Sequence, residues 1–248
     1  MTTQNQHEPV EIISLKDHLY LLNDNNESTG YVLIGTKKAA VIDTMNGYED
    51  IYQVVRKITD LPLIVINTHG HPDHVCGDTY FEEIYIHPND LEMAKGYIQE
   101  KGSNLSEITF KMIKEGDSFD LGGITLEIYE VPGHTPGSVW ILDKEDRILF
   151  SGDSINRFTW MQLEESSSLE AFYNVLLRLE KLTGSYDTIL WGHTRTGDSV
   201  SLYEENKVAV KEVIDGVGRE LDEDYTYFGG TCKVHKCTQG NISIVYNE

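Results

Sequence analysis

Four side chains able to hold a metal ion or move a proton crowd into six residues of this sequence: His69, His71, Asp73 and His74, within Thr68-His-Gly-His-Pro-Asp-His74. Neutral imidazoles and carboxylates are natural ligands of a borderline cation such as zinc. In a tight loop this spacing throws alternate side chains to different sides, so His69 and His71 can grip one ion while Asp73 and His74 grip a second. Each ion needs further partners, and later loops supply candidates. His134 lies in Pro132-Gly-His-Thr-Pro-Gly137, Asp153 in Ser151-Gly-Asp-Ser154, and His193 follows Trp191-Gly192. A preceding glycine permits close backbone approach and sharp turns. Taken singly, such a His or Asp is most often a turn or capping residue. Taken together, beside a histidine-rich loop, they point to metal binding.

These residues need elements that carry them to one place. Val10–Leu22 alternates as strand, and Tyr31–Gly35 and Ala39–Asp43 are short apolar runs, with the polar cluster Asn23–Gly30 expected as a turn between them. Tyr48–Ile58 has helical spacing. Leu61–Ile66 is a continuous apolar run of the kind buried on both faces of a sheet, and the His-rich loop follows it directly. A strand, a polar loop and a helix make a βα unit, which places ligand-binding loops at the carboxyl ends of strands. The rhythm recurs with a strand at Glu83–His87, a helix at Asn89–Ile98 and a strand at Ile124–Val131. Val139–Asp143 and Arg147–Phe150 pair, and Thr188–Trp191 runs into His193. Ser167–Leu182 is the clearest helix, opening on the capping box Ser167-Ser-Leu-Glu170, and another helix spans about Leu202–Ile214. Gly96–Asp117 has a weaker pattern and is expected as a mobile segment over a site, and Tyr225–Tyr246 as β structure. Linkers and repeats are absent. A single domain over 1–248 is expected, with a motif core at about 10–215 and a β-rich tail at 222–248.

With 20 Lys and Arg against 41 Asp and Glu, the net charge of −21 repels phosphate backbones and anionic lipid. No nucleic-acid or membrane partner is expected, and no apolar run is long enough to span a bilayer. The first nine residues are neither basic nor apolar, so no secretory signal is visible. Three cysteines are too few for a disulfide scaffold. The cytoplasm is the expected compartment. Cys232, His235 and Cys237 make an incomplete metal tetrahedron, and the cysteines read as reduced thiols near a C-terminal strand. Cys76 reads as packed rather than nucleophilic.

The motifs, in their order and approximate spacing, resemble the metallo-β-lactamase superfamily: Asp43 in Val41-Ile-Asp-Thr, Thr68-His-Gly-His-Pro-Asp-His74, Gly133-His134, Gly152-Asp153 and Gly192-His193. The resemblance implies an α/β (α+β) fold, the four-layer αβ/βα sandwich, with metals at one edge of the sheets. It implies His69, His71 and His134 on one metal, Asp73, His74 and His193 on a second, and Asp153 bridging both. Asp43 would hold the loop and its ligands in place.

Departures from particular members narrow the function. The commonest β-lactamases carry Cys where Asp153 stands. Hydroxyacylglutathione hydrolases share the ligands but add a basic C-terminal part, whereas the tail from Asp222 holds only Lys233 and Lys236 as Lys or Arg cations. The Tyr that acyl-homoserine lactonases place three residues after the bridging Asp is Asn156. The expected enzyme is a hydrolase using a bridging hydroxide between two divalent ions, zinc first with iron or manganese as alternatives. It would cleave an ester, thioester, lactone or related bond in a small molecule, with Asp73 taking the water's proton. Two divalent ions, two carboxylates and one hydroxide leave about one positive charge at the site. Arg157, Phe158, Trp160, Met161, Thr194 and Arg195 are candidates to touch substrate. The alternatives are a mononuclear iron oxygenase resembling persulfide dioxygenases, which fits poorly with seven retained ligands, and a non-catalytic metal-binding scaffold.

Overall fold

The computed structural model describes residues 7–248; the first six, part of the stretch read above for a secretory signal, lie outside the described residues. Two compact units are present, the first built on one sheet and the second on two.

The first unit takes the described residues up to Ile113, with Asp120–Ile124 and Gly192–Thr196. Its seven-stranded sheet runs in chain order: β1 (Glu11–Lys16), β2 (Leu19–Asp24), β3 (Ser28–Ile34), β4 (Ala39–Ile42), β5 (Leu63–Ile66), β6 (Glu83–Ile86) and β7 (Thr109–Met112). The first four strands pair antiparallel and the last four parallel. In β4 every side chain is buried, and in β5 all but Leu63. Val32, Val41, Val65, Ile84 and Ile86 pack against Ile51, Val54 and Val55 of helix α1 (Ile51–Arg56) and Ala94 and Ile98 of α3 (Leu91–Glu100). Between these helices lies α2, the single turn Pro72–Val75.

Three expectations change here. The turn after β2 is shorter than the polar cluster implied, because Asn25 and Asn26 both take positive φ, which asparagine tolerates. The strands therefore run on through buried Asn23, Asp24, Ser28 and Thr29. Helix α1 starts at Ile51 rather than near Tyr48, since the Asp50 side chain caps it by accepting from the Gln53 N–H. The stretch Gly96–Asp117 finishes α3 and then supplies the edge strand β7.

The second unit takes Lys114–Phe119, Thr125–Trp191 and Gly197–Glu248. A six-stranded sheet is ordered β14 (Asp198–Ser199), β13 (Thr188–Trp191), β11 (Ile148–Gly152), β10 (Val139–Asp143), β9 (Thr125–Glu130) and β8 (Ser118–Asp120). A four-stranded sheet is ordered β12 (Phe158–Trp160), β17 (Ser243–Tyr246), β16 (Gly230–Lys236) and β15 (Glu223–Tyr227), so the tail is β structure as its sequence implies. Phe172, Leu176 and Leu179 of helix α4 (Leu169–Leu179) and Val210 and Val213 of α5 (Ser201–Asp215) share a core with Trp140, Leu149, Ile189 and Tyr246. The cap of α4 sits one residue later than the capping box implied. Ser168 accepts from the Ala171 N–H, while the N–H of Ser167 donates to Gly133 O at 2.9 Å. Ser167 is thus committed to the loop that carries His134.

Candidate metal centre

In the first unit the chemistry hangs on strand ends. β4 ends at Ile42 and delivers Asp43, which takes φ of +58°, and β5 ends at Ile66 and delivers the His-rich loop. Asp43 is a buried hub. Its Oδ1 accepts the Thr68 N–H at 2.7 Å, and its Oδ2 accepts the Thr68 hydroxyl at 2.7 Å and His74 Nδ1–H at 2.9 Å. His71 is the N-cap residue of α2, in extended conformation, so it points apart from the helical Asp73 and His74. The Gly70 N–H donates to buried Asp90 at 2.8 Å, and the Thr44 N–H to His74 O at 2.8 Å. His193 Nδ1–H donates to the carbonyl of Glu27, at the tight turn after β2, and the Thr29 N–H donates to Gly192 O at 2.7 Å.

In the second unit His134 is buried, and its Nδ1–H donates to Trp160 O at 2.8 Å. A Cβ on Gly133 would lie 2.3 Å from the Phe172 ring, so only glycine lets this loop press against α4. Gly152, at the end of β11, takes φ of +52° and turns the chain into Asp153. His134 Nε2 lies 3.9 Å from Asp153 Oδ2.

These contacts fix the tautomers. A carbonyl oxygen only accepts, so Nδ1 of His134 and of His193 must carry the proton, and the Asp43 carboxylate makes the same demand of His74. Nε2 is left as the lone-pair nitrogen in all three. Asp73 Oδ2 lies 3.6 Å from Nε2 of both His74 and His193. Ligand atoms set tetrahedrally at about 2.0–2.1 Å around a cation would stand about 3.4 Å apart, so the spacing fits an ion. Of the seven residues picked out by sequence, His69, His71, Asp73, His74 and His193 belong to the first unit and His134 and Asp153 to the second.

The substrate candidates separate. Arg157 is held by Asp198 and by Glu205 at 3.4 Å, and Arg195 by Glu11 and Asn26, both at 2.6 Å. Both guanidinium groups therefore serve internal pairs. Met161 and Thr194 are buried, whereas Phe158 is 39 % exposed. Asn156 shapes the loop after Asp153, its Oδ1 accepting the Phe158 N–H at 2.6 Å and its backbone carbonyl the Asn206 amide at 2.9 Å. Cys76 is buried, and burial pushes its thiol up to about 11, which suits packing rather than nucleophilic attack. His235 gives its ring nitrogens to Asp222 at 2.7 Å and Glu212 at 3.2 Å rather than to the nearby thiols.

Sequence reading missed Asp78, Asp90 and the Trp160 carbonyl, none of which lies in a motif. Asp78 is fully buried; Asn67 donates to it at 2.6 Å and Thr44 Oγ1 lies 2.8 Å away. Burial pushes its carboxyl well above the ordinary range, with the Asp43 charge acting in the same direction. The folded state therefore favours the neutral acid, and stability falls as pH climbs above the unfolded value of about 3.9 towards the raised folded one. Asp78→Asn keeps an acceptor for Asn67 and removes the charge. In urea unfolding of the chelated chain, this variant is expected to gain more over the wild type at pH 7 than at pH 4. Equal differences at both pH values would contradict a raised Asp78 carboxyl.

A family model described as the metallo-β-lactamase superfamily matches residues 24–210. The acyl-coenzyme A thioesterase MBLAC2 of Gallus gallus is 24 % identical over 89 % of this chain and 86 % of its own length. A hydroxyacylglutathione hydrolase of Francisella tularensis is 29 % identical over 66 % of this chain, which spans 62 % of that protein, less than two thirds. Among solved structures, a metallo-β-lactamase from Pontibacter korlensis has a TM-score of 0.65 at 16 % identity, covering 82 % of this chain and 99 % of that one. The metallo-β-lactamase FIM-1 from Pseudomonas aeruginosa, in its mono-zinc form, has a TM-score of 0.64 at 17 % identity, covering 84 % and 97 %. The fold is the α+β sandwich of these proteins. With its His-rich loop at the end of a buried strand and its family match running through three quarters of its length, this chain belongs to the metallo-β-lactamase superfamily.

Proposed function

We propose that the chain is a dinuclear metal-dependent hydrolase cleaving an acyl bond in a small molecule, a thioester before an ester or lactone. The observation that carries this reading is the locking of three imidazoles with Nε2 as the lone-pair nitrogen, beside carboxylates at ligand-like spacing. His69, His71 and His134 would hold one ion, Asp73, His74 and His193 the second, and Asp153 both. Zinc is the first candidate, with iron and manganese as alternatives. The thioester preference rests on the relatives, one named as an acyl-coenzyme A thioesterase and one as a hydrolase of an acylated glutathione.

Divalent ions bound there would polarise the acyl oxygen and lower the pKa of water to about 7. The residues do the rest. Asp73, half-buried beside His74 and His193, orients the attacking water and takes its proton. Asp43 keeps His74 and the loop at Thr68 in register, so the ligands need no rearrangement during turnover. Water adds to the acyl carbon, the carbon–sulfur bond breaks, and a carboxylate and a thiol leave. The chain's charge of −21 favours a small neutral or singly anionic substrate over nucleic acid or anionic lipid. No helix among the described residues is long and apolar enough to cross a membrane. All three thiols are free, which suits a reducing compartment such as the cytoplasm.

The test is a hydrolysis panel of thioesters, lactones, phosphodiesters and β-lactams on zinc-reconstituted protein, with metal content measured in parallel. Thioester turnover, two ions per chain, and loss on chelation reversed by zinc are expected. No turnover of any acyl substrate, or one iron per chain with oxygen consumed, overturns the proposal.

A further inference from the structure

The sheet β12–β17–β16–β15 carries apolar side chains on both faces. On one, Ile244 and Tyr246 join the core that includes Val210 and Val213 of α5. On the other, the register sets Trp160 beside Val245, Val245 beside Val234, and Tyr225 beside Cys232. Val245, Val234 and Cys232 are buried beneath Trp160, Tyr225 and Tyr227. The Trp160 ring lies 6.0 Å from Tyr225, 5.8 Å from Tyr227 and 6.1 Å from Phe228. Phe228, at the tip of the β15–β16 hairpin, is 87 % exposed. An antiparallel sheet with one face in water carries polar side chains there. Here the outward strand positions include Phe158, Trp160, Tyr225 and Tyr227, and their only charges, Glu223 and Lys236, neutralise each other at 2.9 Å. In a chain of net charge −21 this is a neutral, aromatic surface of the kind that marks a binding site.

Its position says for what. Trp160, which anchors the aromatic cluster, is also the residue whose carbonyl accepts His134 Nδ1–H. One residue therefore joins the aromatic surface to a metal-ligand candidate. We propose that this aromatic shelf is the subsite for the apolar acyl group of the substrate, a medium or long alkyl chain lying across Trp160, Tyr227 and Phe228. The inference rests on the hydrolase reading above and gives it a substrate class, acyl thioesters with an extended uncharged chain.

The experiment uses zinc-loaded protein and acetyl, butyryl and octanoyl thioesters of N-acetylcysteamine, in which only the acyl chain varies. The variants are Phe228→Ser and Tyr227→Ser/Phe228→Ser, at partly or well exposed positions remote in sequence from every ligand candidate. Wild-type kcat/KM is expected to rise at least tenfold from acetyl to octanoyl. The double variant should flatten that rise while leaving acetyl turnover within twofold. Saturable change of tryptophan emission with octanamide, which is not cleaved, should be present in the wild type and lost in the double variant. A wild-type rate independent of chain length, or an unchanged slope in the double variant, overturns the shelf while acetyl turnover keeps the hydrolase reading. If no thioester is cleaved yet octanamide binding saturates and vanishes in the double variant, the hydrolase reading fails and the apolar subsite stands. A dimer that Phe228→Ser dissociates in sedimentation, with no chain-length effect, makes the shelf a self-association surface and overturns the proposal.

Discussion

Replacing His71 with alanine is expected to leave about one divalent ion per chain instead of the two proposed, and to lower kcat/KM for the best thioester about 1,000-fold. The magnitude follows from the several kcal/mol of charge stabilisation that a metal supplies to a transition state, at 1.36 kcal/mol per tenfold. His71 is one of the three imidazoles proposed for one ion and caps α2 without a side-chain hydrogen bond to its backbone, so the helix loses little with the ring. His193→Ala makes the matching cut among the residues proposed for the second ion, at a position more open to solvent than its neighbours. It is expected to lose the other ion and a similar fraction of activity. Metal content by mass spectrometry, kcat/KM, and urea unfolding of the chelated variants separate the outcomes. Chelated stability within about 1 kcal/mol of wild type excludes misfolding as the cause. If His193→Ala holds one ion and turns over at the wild-type rate, the chemistry belongs to the ion proposed at His71 alone. Two ions retained in His71→Ala would remove His71 from the ligand set.

The ligand candidates were legible because metal binding constrains residue type at short range: four of the seven fall within six residues. His134, Asp153 and His193 were legible through the glycines before them, and Gly133 and Gly152 do meet steric demands. Strands such as β5 were legible because burial on both faces forces an unbroken apolar run. What supports the ligands was less visible. Asp90 reaches Gly70 across 20 residues, and the Trp160 carbonyl reaches His134 across 26, through a backbone atom that every residue type possesses. Arg157 was a substrate-contact candidate because it follows Asp153 in the same loop; Asp198 and Glu205, 41 and 48 residues on, pair with it. The aromatic shelf was read only in part, as Phe158 and Trp160, since nothing before the strand register showed that Tyr225 and Tyr227 share a face with Trp160.

Asp43→Asn should lower zinc affinity and kcat/KM by about 10- to 100-fold, the range for residues that orient metal ligands. Three donors converge on this carboxylate: the Thr68 N–H, the Thr68 hydroxyl and His74 Nδ1–H. An asparagine has one acceptor oxygen, so its amide must face either the Thr68 N–H or the hydroxyl and His74 pair, donor against donor. If the amide faces His74, the ring loses the contact that keeps its proton on Nδ1, and Nε2 is no longer held as the lone-pair nitrogen. If it faces Thr68, the strand end that launches the His-rich loop loosens. Either arrangement leaves a buried donor unmatched, at a cost of about 1–3 kcal/mol to the fold. Backbone strain does not confound the comparison. Asp43 sits at φ of +58°, a conformation asparagine adopts readily, so the substitution removes charge and acceptor capacity while the chain path is preserved. Asp43→Ala adds strain at that φ and should destabilise further. Zinc titration by competition with a chromophoric chelator reads affinity, urea unfolding reads stability, and turnover at saturating zinc reads the remaining effect on the bound site. A weakened zinc constant with near-normal turnover at saturation makes Asp43 an organiser of the empty loop. Low turnover even at saturation means that the His74–Asp43 pair also sets the site's electrostatics during the reaction. Unchanged affinity and turnover together would show that the loop holds His74 without its carboxylate, and Asp43 would then be no more than the turn residue at the end of β4.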